Sequence, residues 1–452
     1  MFSYLFFIVK SSNFSNYNKM RLHMSNPKNI KYLPFFMWFL PLSFFAYQFI
    51  LRLWPGLMMH QIMEQFSIDA GYFGLLAAFY YYGYAGMQIP VAILLDRFSA
   101  RYIIFAFAVL CGLATLLFTY TTNFYLAVLS RFLIGAGSAV GFLGISKVVS
   151  QWFPKEQYGR MIGFSFTFGL MGAIYGGKPV SLLVANYSWQ NVALALAAIS
   201  IVIGCTTYLA LRSPENAKES VKEEQFKITN FKVILSSPVI WYLALANLLM
   251  VGTLEGFADV WGVQYLMTAY NLKNEDAAGL MSLVFFGMLF GGPVLALGSK
   301  KLGNYPMIAI CGFSMAGIFM ILLLSQTYNP LLLSCLLFAL GVMCCYQVLV
   351  FAAGSNLVAP QNLGVAIAFL NCMNMLGGSF FHTIIGKTMD MFWTGALSAS
   401  GFKIYDLEVY KYSLSIIPIC ACLGAIMVCL VGHNVKGRYM QHELQNRLVE
   451  GN

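Results

Sequence analysis

Apolar residues recur along this chain in blocks long enough to cross a lipid bilayer, and polar residues are confined to short stretches between them. A helix needs about 20 apolar residues to cover a hydrocarbon layer roughly 30 Å thick. Twelve blocks meet that length, at 34–58, 72–95, 102–120, 124–150, 161–185, 190–211, 239–266, 277–297, 307–325, 331–357, 364–388 and 412–432. Segments this long and uninterrupted satisfy their own backbone groups as helices, without the short alternating strands of an outer-membrane barrel. The pattern predicts an all-α polytopic membrane protein with twelve transmembrane helices.

Composition agrees: 59% of residues are hydrophobic and only 10% charged, against about 25% charged in a soluble domain. Lysine and arginine then set the orientation, because positively charged loops stay cytoplasmic. With the N-terminus inside, nineteen fall in inner segments, among them Arg97, Arg101, Lys155, Arg160, Lys300 and Lys301, and only Lys273, Lys403 and Lys411 in outer loops. Both termini are therefore expected in the cytoplasm. The net charge of +10 follows from this bias, and suits anionic lipid headgroups at the bilayer rather than nucleic acid.

All ten cysteines fall inside predicted spans, with no CxxC spacing or neighbouring histidines, so no disulfide, metal site or cofactor is expected. Residues 1–23 lack the cleavage pattern of a signal peptide, and Met24 is an alternative start. The longest hydrophilic stretch divides the chain once. The expected organisation is a cytoplasmic segment 1–31, a six-helix bundle 32–211, a cytoplasmic linker 212–238, a second bundle 239–432 and a cytoplasmic tail 433–452. The loop after the second span, Asp96-Arg97-Phe98-Ser99-Ala100-Arg101, is echoed after the eighth by Ser299-Lys300-Lys301-Leu302-Gly303-Asn304, as internal repeats require.

On these motifs the chain resembles the major facilitator superfamily. Ala92-Ile93-Leu94-Leu95-Asp96-Arg97-Phe98-Ser99-Ala100-Arg101 matches the family's G-x-L-x-D-R-x-G-R-R loop in its leucine, acid and two basic residues, but lacks both glycines. Arg131-Phe132-Leu133-Ile134-Gly135-Ala136-Gly137 matches R-x-x-x-G-x-G in full, and Gly172, Gly176 and Gly177 keep part of the fifth-span glycine motif. Gln88-Ile89-Pro90 and Val260-Trp261-Gly262 look most like the bacterial subgroup bordering the lysosomal dipeptide carriers. The resemblance implies two pseudo-symmetric six-helix bundles that rock about a central site. It also implies a conformational latch in which Asp96, with Arg97 and Arg101, meets the start of the eleventh helix near Gly364 while the outside is open.

A charge in hydrocarbon costs about 3 kcal/mol or more and survives where it faces a partner or water. Arg52, Arg131, Lys147, Lys178, Glu255, Asp259 and His382 lie inside spans. Counting about 1.5 Å per residue puts Arg52, Lys178, Glu255 and His382 in one layer of the outer third, while Lys147 can snorkel to the interface. The first half supplies cations and the second carboxylates, and an offset of 203 or 204 residues brings Arg52 within one residue of Glu255. Two roles stay open: the charges pair across the halves as a gate, or Arg52, Arg131 and Lys178 bind substrate while Glu255, Asp259 and His382 handle a proton. Tyr346, Gln347, Asn371 and Asn374 are the next cavity polar groups. The run Phe79-Tyr80-Tyr81-Tyr82 reads as lipid-facing and packing residues rather than a substrate cage.

No HExxH, DxxD or Ser/His pairing points to an enzyme. The expected activity is secondary transport of a small anionic or zwitterionic organic solute, coupled to protons, by a monomeric chain in a bacterial inner membrane. A uniporter or a drug or metabolite exporter of the same superfamily is the alternative, and Arg52 on the first span argues against a cation exporter, which would want an acid there.

Overall fold

The computed structural model describes residues 27–214, 234–325, 329–359, 362–398 and 401–450, without the side chains of 27–31 and 436–450. Residues 1–26 and most of the expected linker, 215–233, lie outside the described residues, as do the tail's side chains beyond 435.

Twelve long helices follow in order: α1 Pro27–Leu57 and α2 Ala70–Arg97, then α3 Ala100–Tyr120, α4 Phe124–Trp152, α5 Lys155–Asn186, α6 Trp189–Ala210, α7 Pro238–Tyr270, α8 Asn274–Leu302, α9 Asn304–Leu324, α10 Pro330–Ser355, α11 Leu363–Met391 and α12 Leu407–Val435. Eleven are both long and apolar enough to span a bilayer. The exception, α2, has the length at 28 residues, but its tyrosines, glycines and Gln88 dilute its hydropathy. A short helix, Met59–Phe66, follows α1 and ends at Ser67 in the left-handed conformation (φ 50°).

Pairings repeat between the halves. In the first, α1 packs on α5, α2 on α4 and α3 on α6; in the second, α7 packs on α11, α8 on α10 and α9 on α12. The halves meet chiefly where α2 lies along α11 and α5 along α8. Two faces result: a terminal face, where α1 begins and α12 ends, and a loop face opposite. Between α11 and α12 the chain forms a small hairpin on the loop face, pinned by an antiparallel bridge between Leu397 and Lys403.

One helix departs from regular winding. From Gly252 to Trp261, α7 opens into π-helical turns, a geometry that recurs at functional sites. Gly252 and Gly256 leave room there for Phe381: a Cβ on Gly252 would lie 2.6 Å from its ring and one on Gly256 3.0 Å from its Cβ. Glu255 and Asp259 both sit in this segment.

Candidate functional site

At the contact between halves, the Arg52 guanidinium from α1 is enclosed by the two carboxylates of α7. Its Nη2 donates to Asp259 Oδ1 at 3.1 Å, while Nε lies 2.7 Å from Asp259 Oδ2 and Nη1 3.1 Å from Glu255 Oε2 as ion-pair contacts. A planar guanidinium can face two carboxylates at once in this way. Arg52 is 9% exposed, Glu255 1% and Asp259 3%, so low dielectric strengthens the pairing and would penalise any member left alone. Two further groups complete the cluster: the Tyr81 hydroxyl of α2 donates to Asp259, and Asn374 Nδ2 of α11 donates to Glu255 Oε1 at 3.3 Å. The Phe49 and Tyr81 rings lie 5.3 and 5.9 Å from the guanidinium carbon, within cation–π range. Four helices, two from each half, thus converge on one cation and two anions.

The other expected site residues are placed differently. Arg131 is buried behind α1, where Nη1 donates to the Leu51 carbonyl at 3.0 Å and the guanidinium lies over Tyr80 at 5.0 Å. Lys178 follows the break in α5 at Gly177 and, half exposed, reaches Asp276 at the start of α8 at 3.2 Å; its long stem carries the charge toward the loop face, away from the cluster. Tyr346 donates to the Asn247 carbonyl at 3.2 Å within its own bundle. Gln347 and Asn371 are partly buried. His382 is fully buried with neither ring nitrogen partnered among the described residues, its ring 5.2 Å from that of Tyr81.

From this cluster toward the loop face the halves are bonded together. The Ser379 hydroxyl donates to the Ala78 carbonyl at 3.1 Å, and Gln264 and Asn274 donate to the Gly56 and Leu57 carbonyls at 3.3 and 2.8 Å. At the rim, Lys403 of the hairpin bridges Asp69 at 2.9 Å and Asp390 at 3.4 Å. The first amides of α2 are capped by the other half: Ala70 N–H donates to the Tyr405 hydroxyl at 3.0 Å and Gly71 N–H to Asp390 at 2.8 Å. A helix N-terminus favours such a carboxylate.

A sequence profile described as the Major Facilitator Superfamily matches residues 37–382. The chain belongs to that family. With eleven helices long and apolar enough to cross a bilayer, it is a multi-pass membrane protein. An uncharacterized Bacillus subtilis transporter, YybO, is 27% identical over 39% of this chain and 41% of its own length. A Bacillus subtilis glycerol-3-phosphate transporter is 23% identical over 71% of this chain and 79% of its own. The chain spans about a third to a half of the length of the first curated relatives it matches. Among solved structures, a bacterial homologue of the human lysosomal transporter Spinster, inward-facing and occupied, superposes with a TM-score of 0.70 at 16% identity, covering 88% of this chain and 96% of that one. A variant of the nucleoside transporter NupG does so at 0.72 and 14%, covering 88% and 99%. At those identities the likeness concerns the fold.

Among the described residues of this superfamily member, the partners of the loop motif lie in its own half. Asp96, half exposed, pairs with Lys147 of α4 at 3.2 Å, Arg97 is exposed, and the Arg101 guanidinium stacks over Tyr208 at 4.6 Å. Gly364 lies in open space, with nothing within 4 Å of where its Cβ would stand. Sequence reasoning missed Tyr81, which neither faces lipid nor merely packs. The signal was its place seven residues before Gln88, on the α2 face that meets α11, whereas Tyr82 is exposed at 40%. Asp69, Asp390 and Tyr405 were missed because they sit at loop boundaries, where polar residues carry no sequence signal.

Proposed function

We propose that the protein carries a small organic anion or zwitterion across the membrane by alternating access, with a proton bound at the Glu255–Asp259 pair as its coupling ion. The observation behind this reading is the stoichiometry of the buried cluster: two carboxylates share one guanidinium. The cluster therefore carries a surplus negative charge that one proton would neutralise. Protonation also loosens the hold on Arg52 and frees its donors for an anionic substrate, so each ligand favours the other. Relatives whose names carry glycerol-3-phosphate, L-galactonate and sulfoacetate support an anionic solute.

The lysine and arginine bias assigns the terminal face to the cytoplasm, and the bonded loop face then makes this an inward-facing state. A monomer in a bacterial inner membrane, importing its solute, completes the reading. The test is reconstitution in liposomes with an imposed pH gradient, comparing net uptake with substrate-for-substrate exchange. Glu255→Gln is expected to keep exchange and lose gradient-driven accumulation. Uptake by the unaltered protein that ignores the gradient makes the carrier a uniporter and the acidic pair a gate.

A further inference from the structure

The cluster accounts for Arg52, Glu255, Asp259, Tyr81 and the amide nitrogen of Asn374, and leaves a second set of polar groups without a role. Gln48 lies on α1 one turn from Arg52 toward the terminal face, and Gln88 lies on α2 two turns beyond Tyr81 in the same direction. They are only 5% and 6% exposed. Between them stands Tyr84, its hydroxyl beside both carboxamides and within electrostatic reach of Arg52 and Glu255. Gln48 Oε1 and Gln88 Nε2 nevertheless have no partner among the described residues, and the same holds for Gln347 Nε2 on α10 and Asn374 Oδ1 on α11. Counting about 1.5 Å per residue from the loop-face ends of α2, α10 and α11 places Gln88, Gln347 and Asn374 at one depth, roughly 25 to 27 Å in.

A buried polar atom without a partner costs about 1 to 3 kcal/mol. Three at one level, from α2, α10 and α11, with Gln48 of α1 beside Tyr84, mark groups kept for a ligand that enters between the halves. Their chemistry selects it. A carboxylate or phosphate only accepts hydrogen bonds and an ammonium only donates them, whereas a hydroxyl does both. Whichever way each amide is turned, it offers one donor and one acceptor. Along α1, Gln48 is about 6 Å from Arg52, a separation that a chain of roughly five carbons spans.

We propose that Gln48, Gln88 and Tyr84, opposite Gln347 and Asn374, read the hydroxyl groups of a small hydroxylated organic anion whose charged end goes to Arg52. This rests on the anion reading above and adds the neutral part of the substrate. The test uses full-length purified protein and three six-carbon probes, gluconate, hexanoate and sorbitol, with binding followed by thermal shift. Gluconate is expected to bind at least tenfold more tightly than hexanoate, which lacks the hydroxyls, or sorbitol, which lacks the charge. Gln48→Met and Gln88→Met are each expected to lose tenfold or more in gluconate affinity and to leave hexanoate within twofold. Hexanoate binding as tightly as gluconate overturns the hydroxyl layer and leaves the anion reading standing. Sorbitol binding as tightly as gluconate upholds the layer and overturns the anion reading. Unaltered gluconate affinity in both methionine variants, or no gluconate binding by the native protein, overturns the proposal. Should the variants fail to fold, the three-probe comparison on the native protein decides.

Discussion

The two faces of this membrane protein are built from similar parts and are in opposite conditions. At the loop face, Lys403, Asp69, Asp390 and Tyr405 join the second half to the first amides of α2, and Lys178 meets Asp276 between α5 and α8. At the terminal face, the Asp96 carboxylate is turned to Lys147 of its own bundle, and Gly364, its expected counterpart, stands open. A charge near a helix end is thus in use at one face and idle at the other. On the proposed alternating-access reading, neither set fixes the fold: each would stabilise one of two arrangements of the same bundles, and the arrangement present is the one whose clasp is closed. The Arg52 cluster lies between them and joins the halves from the middle.

The largest effect is expected at that midpoint. Arg52→Met leaves two carboxylates buried without their cation, a defect worth about 3 to 5 kcal/mol. Transport in liposomes should fall more than a hundredfold, and the unfolding temperature should drop. Adding Glu255→Gln and Asp259→Asn removes the stranded charges, so the triple variant should regain the unfolding temperature and not the transport. Stability regained together with transport would show that the cluster holds the halves and handles no substrate.

Next in size is the helix contact that closes the loop face. A Cβ on Gly386 would lie 2.3 Å from the Ala70 carbonyl oxygen, so Gly386→Ala forces α11 from α2 at a cost of about 1 to 3 kcal/mol. A cysteine placed at Asn274 should then label from the loop side about tenfold faster. Unchanged labelling would mean that the α2–α11 contact does not govern access.

A smaller change is expected from the clasp itself. Exposed ion pairs contribute about 0 to 1 kcal/mol, so Lys403→Met with Tyr405→Phe should raise labelling at the same position by a few fold. The pH dependence has a definite sign. Burial works against the Lys403 ammonium, but its bond to Asp69 and the charges of Asp390 and Asp69 outweigh this and hold its pKa above the ordinary lysine value. Its contribution is therefore complete at and below that ordinary value and is lost only as pH rises through the raised one. Any transport dependence between about pH 5 and 8 should survive Lys403→Met unchanged; its disappearance would put the coupling at the clasp.

Much of this architecture was legible in the residue pattern, because span length and the segregation of lysine and arginine depend on hydration, which acts on each residue separately. The helix count and the family motifs at Asp96 and Arg131 came from that level. The pairing of Arg52 with Glu255 and Asp259 could be approached as well, since a charge in lipid demands a partner and three in-span charges of opposite sign limit the choice. Tyr81 could not, because a tyrosine is comfortable facing lipid, a ring or a carboxylate. The clasp was out of reach too: Asp69 and Lys403 are ordinary loop residues and Asp390 ends a helix, 321 positions separate Asp69 from Asp390, and only the docking of α2 against α11 brings them together. The π-helical turns of α7 have no composition of their own, and glycines 252 and 256 read equally well as packing residues.

The smallest effect on the present state, and the sharpest test of the comparison, belongs to the idle latch. A Cβ on Gly364 meets nothing here, and Asp96 is half exposed beside Lys147. Gly364→Ala and Asp96→Asn should therefore shift the unfolding temperature of this state by no more than a few tenths of a kcal/mol permits. If the terminal face closes by bringing Asp96 to the first turn of α11, the opposite state loses a carboxylate–amide interaction worth about 0.3 to 1 kcal/mol in Asp96→Asn, and transport slows by a few fold through a change in the balance of states. The measurement pairs exchange rates in liposomes with labelling at both faces: slower exchange, less loop-side labelling and an unchanged unfolding temperature are expected together. Wild-type exchange with an unchanged labelling ratio would leave Asp96 an ordinary solvated acid and the terminal face without a latch, so that the two faces would differ in kind and not merely in state.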